Sequence, residues 1–307
     1  MTMDAIQSIL MIVVTASMPL IIAAIGELIV ERAGVLNLGV EGMMIMGAAA
    51  GFACAYLTQS TTLGALAGIA AGMALSAVFA LLVLGLATNQ VATGLALTIF
   101  GLGFSGLLGA GFVGLKLGYA PHLYVPVLND IPGIGRLLFG EDFFVYVGFA
   151  IVAAVWWFLR YSRAGLTLRA VGDSHLSAHA LGLEVRKIRL LAILFGGGCA
   201  GLAGAYLSLA YTPFWTSGMS AGRGWIALAL VVFASWRPWR VVVGALLFGG
   251  MDALQYQAQG FGISIPAQFL TASPYLVTII ALVMIAAWDR RGANAPADLG
   301  KTFIPGR

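Results

Sequence analysis

Charge is what this sequence lacks most. Only 9% of its 307 residues are Asp, Glu, Lys or Arg, against about 25% in a soluble domain, and that excludes an ordinary soluble fold. Cysteine is nearly absent: Cys54 and Cys199 lie far apart inside apolar runs, which favours packed thiols over a disulfide and leaves the redox compartment open. Histidine is equally scarce. His175 and His179 are four apart and could share a helix face, but no Cys or carboxylate completes a metal-ligand set, so no metal site is expected.

Two nucleotide-binding patterns come close and fail. GLGFSG, with Gly101, Gly103 and Gly106, matches the dinucleotide fingerprint but sits inside an apolar run with no strand before it. LGKT near the C-terminus would need a glycine where Ala295 stands, and a preceding strand. The chain is therefore expected to bind no ATP itself, to hold no cofactor and to catalyse no reaction. The net charge of +4 is distributed in a way that does not point to nucleic acid.

What is abundant is apolar sequence, at 61%. Runs of about 20 residues recur, each enough to span a bilayer core about 30 Å thick as a helix. The expected fold is all-α: a polytopic membrane helical bundle of about 8–10 transmembrane segments in a single domain, 1–307. Candidate helices cover 6–30, 35–58, 62–87, 90–112, 143–161, 188–211, 223–236, 239–257 and 266–288. The first run has neither a basic leader nor a small-residue cleavage site, so it reads as a retained helix. The seventh is too short to span alone. It is either tilted or a buried half-helix, with Trp236, Arg237, Trp239 and Arg240 around Pro238 as an interfacial anchor.

Lys and Arg accumulate in cytoplasmic loops. With nine crossings and the N-terminus outside, thirteen of the sixteen basic residues fall on the inner side, leaving Lys116, Arg136 and Arg223 outside. The expected topology is N-terminus outside, C-terminus cytoplasmic, with an extracytoplasmic loop at 111–142 and a polar cytoplasmic loop at 161–188. Forty-one glycines are about twice the usual share. Gly64, Gly68 and Gly72 fall on one helix face and Gly197 and Gly201 repeat the spacing, so close helix packing is favoured over a path lined by bare backbone.

The loop RAVGDSHLSAHALGLEVRKIRL reads as a short amphipathic helix between Gly172 and Gly182, with Ser174 as N-cap and Leu176, Ala180 and Leu183 as small or apolar positions. Such a helix docks a partner or lies on the lipid surface. The stretch GELIVERAGVLNLGVEGMM, the loop continued as LLAILFGGGCAGLAGAYL, and GRGWIALALVVFASWRPW together resemble the permease subunits of bacterial ABC importers, in the branch of simple-sugar and nucleoside permeases within the ribose and branched-chain amino acid permease superfamily. The resemblance runs from about residue 20 to 290.

That resemblance implies a coupling helix seated in an ATP-binding subunit, with Arg169, Gly172, Asp173, Ala178 and Gly182 contacting or shaping the interface. Ser174 and His175 stand where the family usually has Asn and Pro. It also implies that Glu27, Glu31, Arg32, Asn37 and Glu41 belong to the motif joining the first two helices. The preferred reading is a structural clasp at a cytoplasmic gate, with Glu27 and Glu41 pairing with Arg32 or basic loop residues. Direct contact with a polar substrate is the alternative. Asn89, Gln90, Thr93, Asp252 and Gln255, with Gln257 and Gln259, are candidates for a polar substrate path, with interhelical hydrogen bonding an equal alternative. Tyr211, Phe214 and Trp215 could receive a binding protein or form an aromatic belt.

The expected function is the membrane-spanning subunit of an ATP-driven importer, carrying a nucleoside or base, or next a simple sugar, by alternating access. Its site would be the bacterial cytoplasmic (inner) membrane, among membrane lipid. Partners would be an ABC ATP-binding subunit holding ATP and Mg, a second permease in a homo- or heterodimer, and an extracytoplasmic substrate-binding protein. The competing class is an ion-coupled secondary transporter using Glu27, Glu41 or Asp252.

Overall fold

A computed structural model describes residues 3–118, 140–260 and 295–304, with isolated positions between 269 and 283. Within them the chain forms helices α1 (Met3–Arg32), α2 (Val40–Thr58), α3 (Thr61–Ala80), α4 (Gln90–Gly109), α5 (Phe143–Tyr161), α6 (Arg163–Asp173), α7 (His175–Ala180), α8 (Val185–Tyr206), α9 (Arg223–Phe233) and α10 (Pro238–Gly260). Among the described residues there is no strand; two isolated bridges join Val113 to Trp215 and Lys116 to Phe214. The ninth candidate segment, 266–288, and most of the loop 111–142 lie outside the described residues.

Short polar side chains set where the helices start. Ser60, Asn89, Asp142, Ser162 and Ser174 each accept the backbone N–H three residues on, satisfying one orphan donor of the first turn. Helices α3 and α8 both end in a single π turn, Leu81–Gly85 and Leu207–Tyr211. The polar loop is more helical than its composition suggests, holding α6 as well as the short α7. In the other direction, α2 begins at Val40 and not at 35, because Asn37 Oδ1 takes the Gly39 N–H at 2.9 Å and holds a turn that a helix would break.

Six helices among the described residues are long and apolar enough to cross a membrane, from Gln7–Arg32 to Val185–Tyr211. The protein is a multi-pass helical bundle. Helices α1, α2 and α8 form its centre and α3, α4 and α5 its rim; Ile99 and Leu107 on α4 are each 72% exposed. The centre is held by backbone against backbone. A Cβ on Gly201 of α8 would meet the Gly68 carbonyl of α3, and Gly72 lies against the Gly197 carbonyl in the same way. Lipid gives helices no hydrophobic reason to associate, so this close approach supplies the dispersion contacts that do. Gly101 of the GLGFSG run serves α4 likewise, against Gly42 of α2.

Replacing Gly201 by Val drives two methyl groups into fixed backbone, beyond the about 1–3 kcal/mol of ordinary overpacking. The expected result is loss of folded protein on detergent extraction, read by size-exclusion yield. Gly103→Ala, with nothing within 4 Å of the new Cβ, should leave that yield unchanged.

Candidate functional site

The charged stretch that joins α1 to α2 builds a bracket. After Arg32 the chain turns and runs back beside α1, so that Asn37 N donates to Glu27 Oε1 at 3.3 Å. That return is five residues of helix, about 7 Å at 1.5 Å per residue, so α2 starts inside the bundle. Glu27, Glu31, Asn37 and Glu41 are all buried there.

Glu41, in the first turn of α2, faces the start of α9. Its Oε1 accepts from Ser220 Oγ at 2.6 Å and Gly222 N at 2.9 Å, and its Oε2 from Gly224 N at 2.6 Å. Helix α9 has eleven residues, about 16 Å, so it is a half-helix, the second of the two readings its length allows. A buried helix start carries unpaired N–H groups and positive partial charge, and a carboxylate answers both. The local sequence permits the approach: Gly222 takes φ +81, and a Cβ on Gly224 would lie 2.5 Å from Glu41 Cα.

The other end of the half-helix is held by the same stretch. Trp236 Nε1 donates to Glu31 Oε2 at 2.6 Å, and Arg32 Nη2 donates to the Trp236 carbonyl at 2.9 Å. Ser235 and Trp236 adopt φ of 48° and 55°, left-handed backbone that costs non-glycine residues of order 1–3 kcal/mol each and persists only where neighbours enforce it. The expected pairing of Glu27 and Glu41 with Arg32 or loop arginines is therefore replaced. Glu41 takes a helix start, Glu27 takes Asn37, and Arg32 takes a carbonyl, because backbone donors lie closer than any cation.

Four of the five polar path candidates have other partners. Asn89 caps α4 through Ala92 N at 3.0 Å, and Thr93 bonds the Thr88 hydroxyl at 2.9 Å. Gln90 is buried, with Oε1 on Leu36 N at 2.8 Å and Nε2 on the Lys301 carbonyl at 3.3 Å. Asp252 lies 3.6 Å from Arg223, whose guanidinium also sits over Tyr211 at 5.6 Å. Arg223 opens the half-helix, where the sequence begins that segment. The side chains of Gln255, Gln257 and Gln259 lie outside those described. Trp215 is buried among Ile45, Ala48, Ala49 and Phe52, which removes it from an aromatic belt.

The loop helix α7 is where the sequence places it, begun by Ser174 and closed by Gly182 at φ +82. Leu176 and Leu181 are 56% and 81% exposed, and Asp173 is exposed beside them. Ala178 and Gly172 are buried, so they shape this helix from beneath instead of touching a partner. Gly172 packs on the Arg32 carbonyl, which fastens α6 and α7 to the α1–α2 turn.

Sequence reasoning missed the support under α7. Residues 295–304 form a strap: Asp298 N donates to the Gly172 carbonyl at 3.0 Å, Gly300 N to the Gly34 carbonyl at 3.2 Å, and Phe303 lies edge-on to both His175 and His179. Asp298 accepts from His175 N at 2.8 Å and Lys301 Nζ at 2.9 Å, and lies 2.7 Å from His175 Nδ1. From α8, Arg189 reaches the Ala33 and Lys301 carbonyls at 3.1 Å each. The failed LGKT match is part of this strap, and the near-periodic histidines are its aromatic neighbours. The signal available in sequence was the buried-type Phe303 beyond the last apolar run.

Burial holds His175 below its usual 6.5, with Arg189 and Lys301 adding to that and Asp298 opposing it. At Asp298 burial pulls upward, but the Lys301 ammonium, the His175 backbone N–H and its ring together hold it below 3.8. His175 Nδ1 lies between the Asp298 carboxylate at 2.7 Å and Arg189 Nη2 at 3.4 Å.

Residues 9–288 match the protein family described as the branched-chain amino acid transport system, permease component. The chain belongs to that family. It is 43% identical to a Haloferax volcanii protein provisionally named glucose ABC transporter permease protein TsgC13, over 88% of each chain. It is 30% identical to the guanosine ABC transporter permease protein NupQ of Bacillus subtilis, over 99% of this chain and 100% of that one. The nucleoside ABC transporter permease protein NupC of Lactococcus lactis subsp. cremoris is 31% identical over 94% of each. This permease is a transport component and not an enzyme, and its family works with ABC ATPases and substrate-binding proteins.

Glu41→Gln puts an amide donor against Ser220, Gly222 or Gly224. One buried donor left unpaired costs about 1–3 kcal/mol, so lower yield and Tm are expected, with substrate affinity of the surviving protein little changed. Normal yield with a large loss of affinity would move Glu41 onto the substrate path.

The strap should also respond to pH. His175 in place resists protonation, so the docked strap binds fewer protons than the free one and docking weakens as pH falls through 6.5. Spin labels on Ser177→Cys and Thr302→Cys, with Cys54 and Cys199 replaced, should report a single short distance at about pH 8 that broadens by about pH 5. The Asp298 contribution should survive that range, because its carboxylate stays ionised down to below 3.8.

Proposed function

We propose that this chain is the translocation subunit of an importer at the cytoplasmic membrane, with the basic end of the bundle inside and α7 seated in an ATP-binding partner. The exposed leucines of α7, held on a strapped and glycine-closed helix, carry this reading: a rigid apolar tip is what a cleft on another subunit can grip. Arg169, Gly172, Asp173, Ala178 and Gly182 then act as its frame, with Asp173 and Gly182 exposed toward the partner.

Motion of α7 passes through Gly172 and the strap to the α1–α2 turn, and from Glu31 and Glu41 to both ends of the half-helix α9. Import by alternating access follows if ATP-driven closure of the partners shifts that bracket between two packings. The partners hold ATP and Mg; this chain holds the path. The transported solute is a simple sugar or a nucleoside. The higher identity to the protein named for glucose puts sugar first, which reverses the order set by resemblance alone. The ion-coupled reading keeps only Glu27, whose Oε2 is buried with no hydrogen-bond partner among the described residues, because Glu41 spends both oxygens on a helix start and Asp252 lies against Arg223.

Leu176→Asp combined with Leu181→Asp should abolish co-purification of the ATP-binding subunit while leaving the extracted chain folded. Uptake of labelled glucose and guanosine by cells carrying the intact operon, with and without the double variant, then assigns the solute. Transport by the chain reconstituted alone under an ion gradient would overturn the proposal.

A further inference from the structure

A cavity of about 480 Å³ opens beside the ends of three apolar helices. Arg32 closes α1, Arg160 lies in the last turn of α5, and Arg237 immediately precedes α10; Arg169 of α6 completes the ring. No carboxylate lines it among the described residues. Of the nearby acids, Glu31 is occupied by the Trp236 indole, and exposed Asp173 offsets Arg32. Arg169 Nε is buried and, among the described residues, has no hydrogen-bond partner. Four guanidiniums facing one cavity repel one another, and such a cluster is stable when an anion fills it.

The position selects the kind of anion. Trp156 and Trp239 at the cavity are 44% and 55% exposed; Trp156 lies near the end of α5, long and apolar enough to span, where exposed tryptophans sit at headgroup depth. We propose that this cavity binds the phosphate of an anionic phospholipid headgroup. Arginine forks match phosphate oxygens in pairs, and the tryptophans flank the glycerol region without competing for charge. The assignment is independent of the transport reading, since it rests on the helix ends and on the cluster.

The test uses the full chain purified in detergent with the subunits that accompany it, delipidated and then titrated while thermal stability is followed. The probes are short-chain phosphatidylglycerol, short-chain phosphatidylcholine and inorganic phosphate. Phosphatidylglycerol should protect at concentrations well below phosphatidylcholine. With roughly 1 kcal/mol for each basic residue near such a headgroup, Arg160→Gln with Arg237→Gln should weaken that protection about tenfold or more. Arg160→Lys with Arg237→Lys should retain most of it, and both variants should melt like the parent in phosphatidylcholine. Equal protection by the two lipids, or an unchanged preference in the Gln variant, overturns the proposal. Protection by inorganic phosphate matching that by phosphatidylglycerol overturns the lipid source. Loss of the accompanying ATPase with the lipid preference intact would assign the patch to a subunit interface and overturn it as well.

Discussion

The structure depends on one carboxylate at one buried helix start. A helix of eleven residues cannot cross a bilayer, and its first N–H groups would open into the apolar interior if nothing received them. Glu41 receives two of those donors and the Ser220 hydroxyl. Once that end is fixed, Trp236 falls beside Glu31 and Arg32, α10 is launched from Pro238, and the α1–α2 turn must run back inside the bundle to present Glu41 at all. Glu31, Arg32 and Glu41 in this apolar stretch thus answer groups at the two ends of the half-helix.

Around that bracket the bundle is packed with little side-chain freedom. Where α3 crosses α8, and where α4 crosses α2, carbonyl oxygens face Cα atoms. Interfaces of this kind have few intermediate arrangements, because no flexible side chain lies between the helices to absorb a small shift. A half-helix tied at both ends to a rigid core is a part that moves as a unit or not at all. Its two tethers come from a turn that Gly172 touches on the opposite side, so the geometry joins the exposed loop helix to the interior by very few contacts.

Much of this was legible in the sequence. Apolar run lengths gave the spanning helices, glycine spacing gave the α3 and α8 faces, and Ser174 with Gly182 bounded α7. The half-helix was visible as a crossing that was too short. What could not be read were partners brought together by folding. Glu41 and Gly224 are 183 residues apart, and His175 and Asp298 are 123 apart; neither pair leaves a local pattern. For the same reason the sequence could not choose for Gln90 between path lining and hydrogen bonding within the bundle; Leu36 N and the Lys301 carbonyl use both ends of its amide.

The strap lies C-terminal to every helix it fastens, and this has a consequence in time. During synthesis α6, α7 and α8 leave the ribosome long before residues 295–304, and domains organise from the N-terminal side as they emerge. Until the strap arrives, His175, Val171 and Val185 lack Phe303, and the Arg189 guanidinium lacks the Lys301 carbonyl. A nascent or truncated chain therefore presents its loop helix without a foundation.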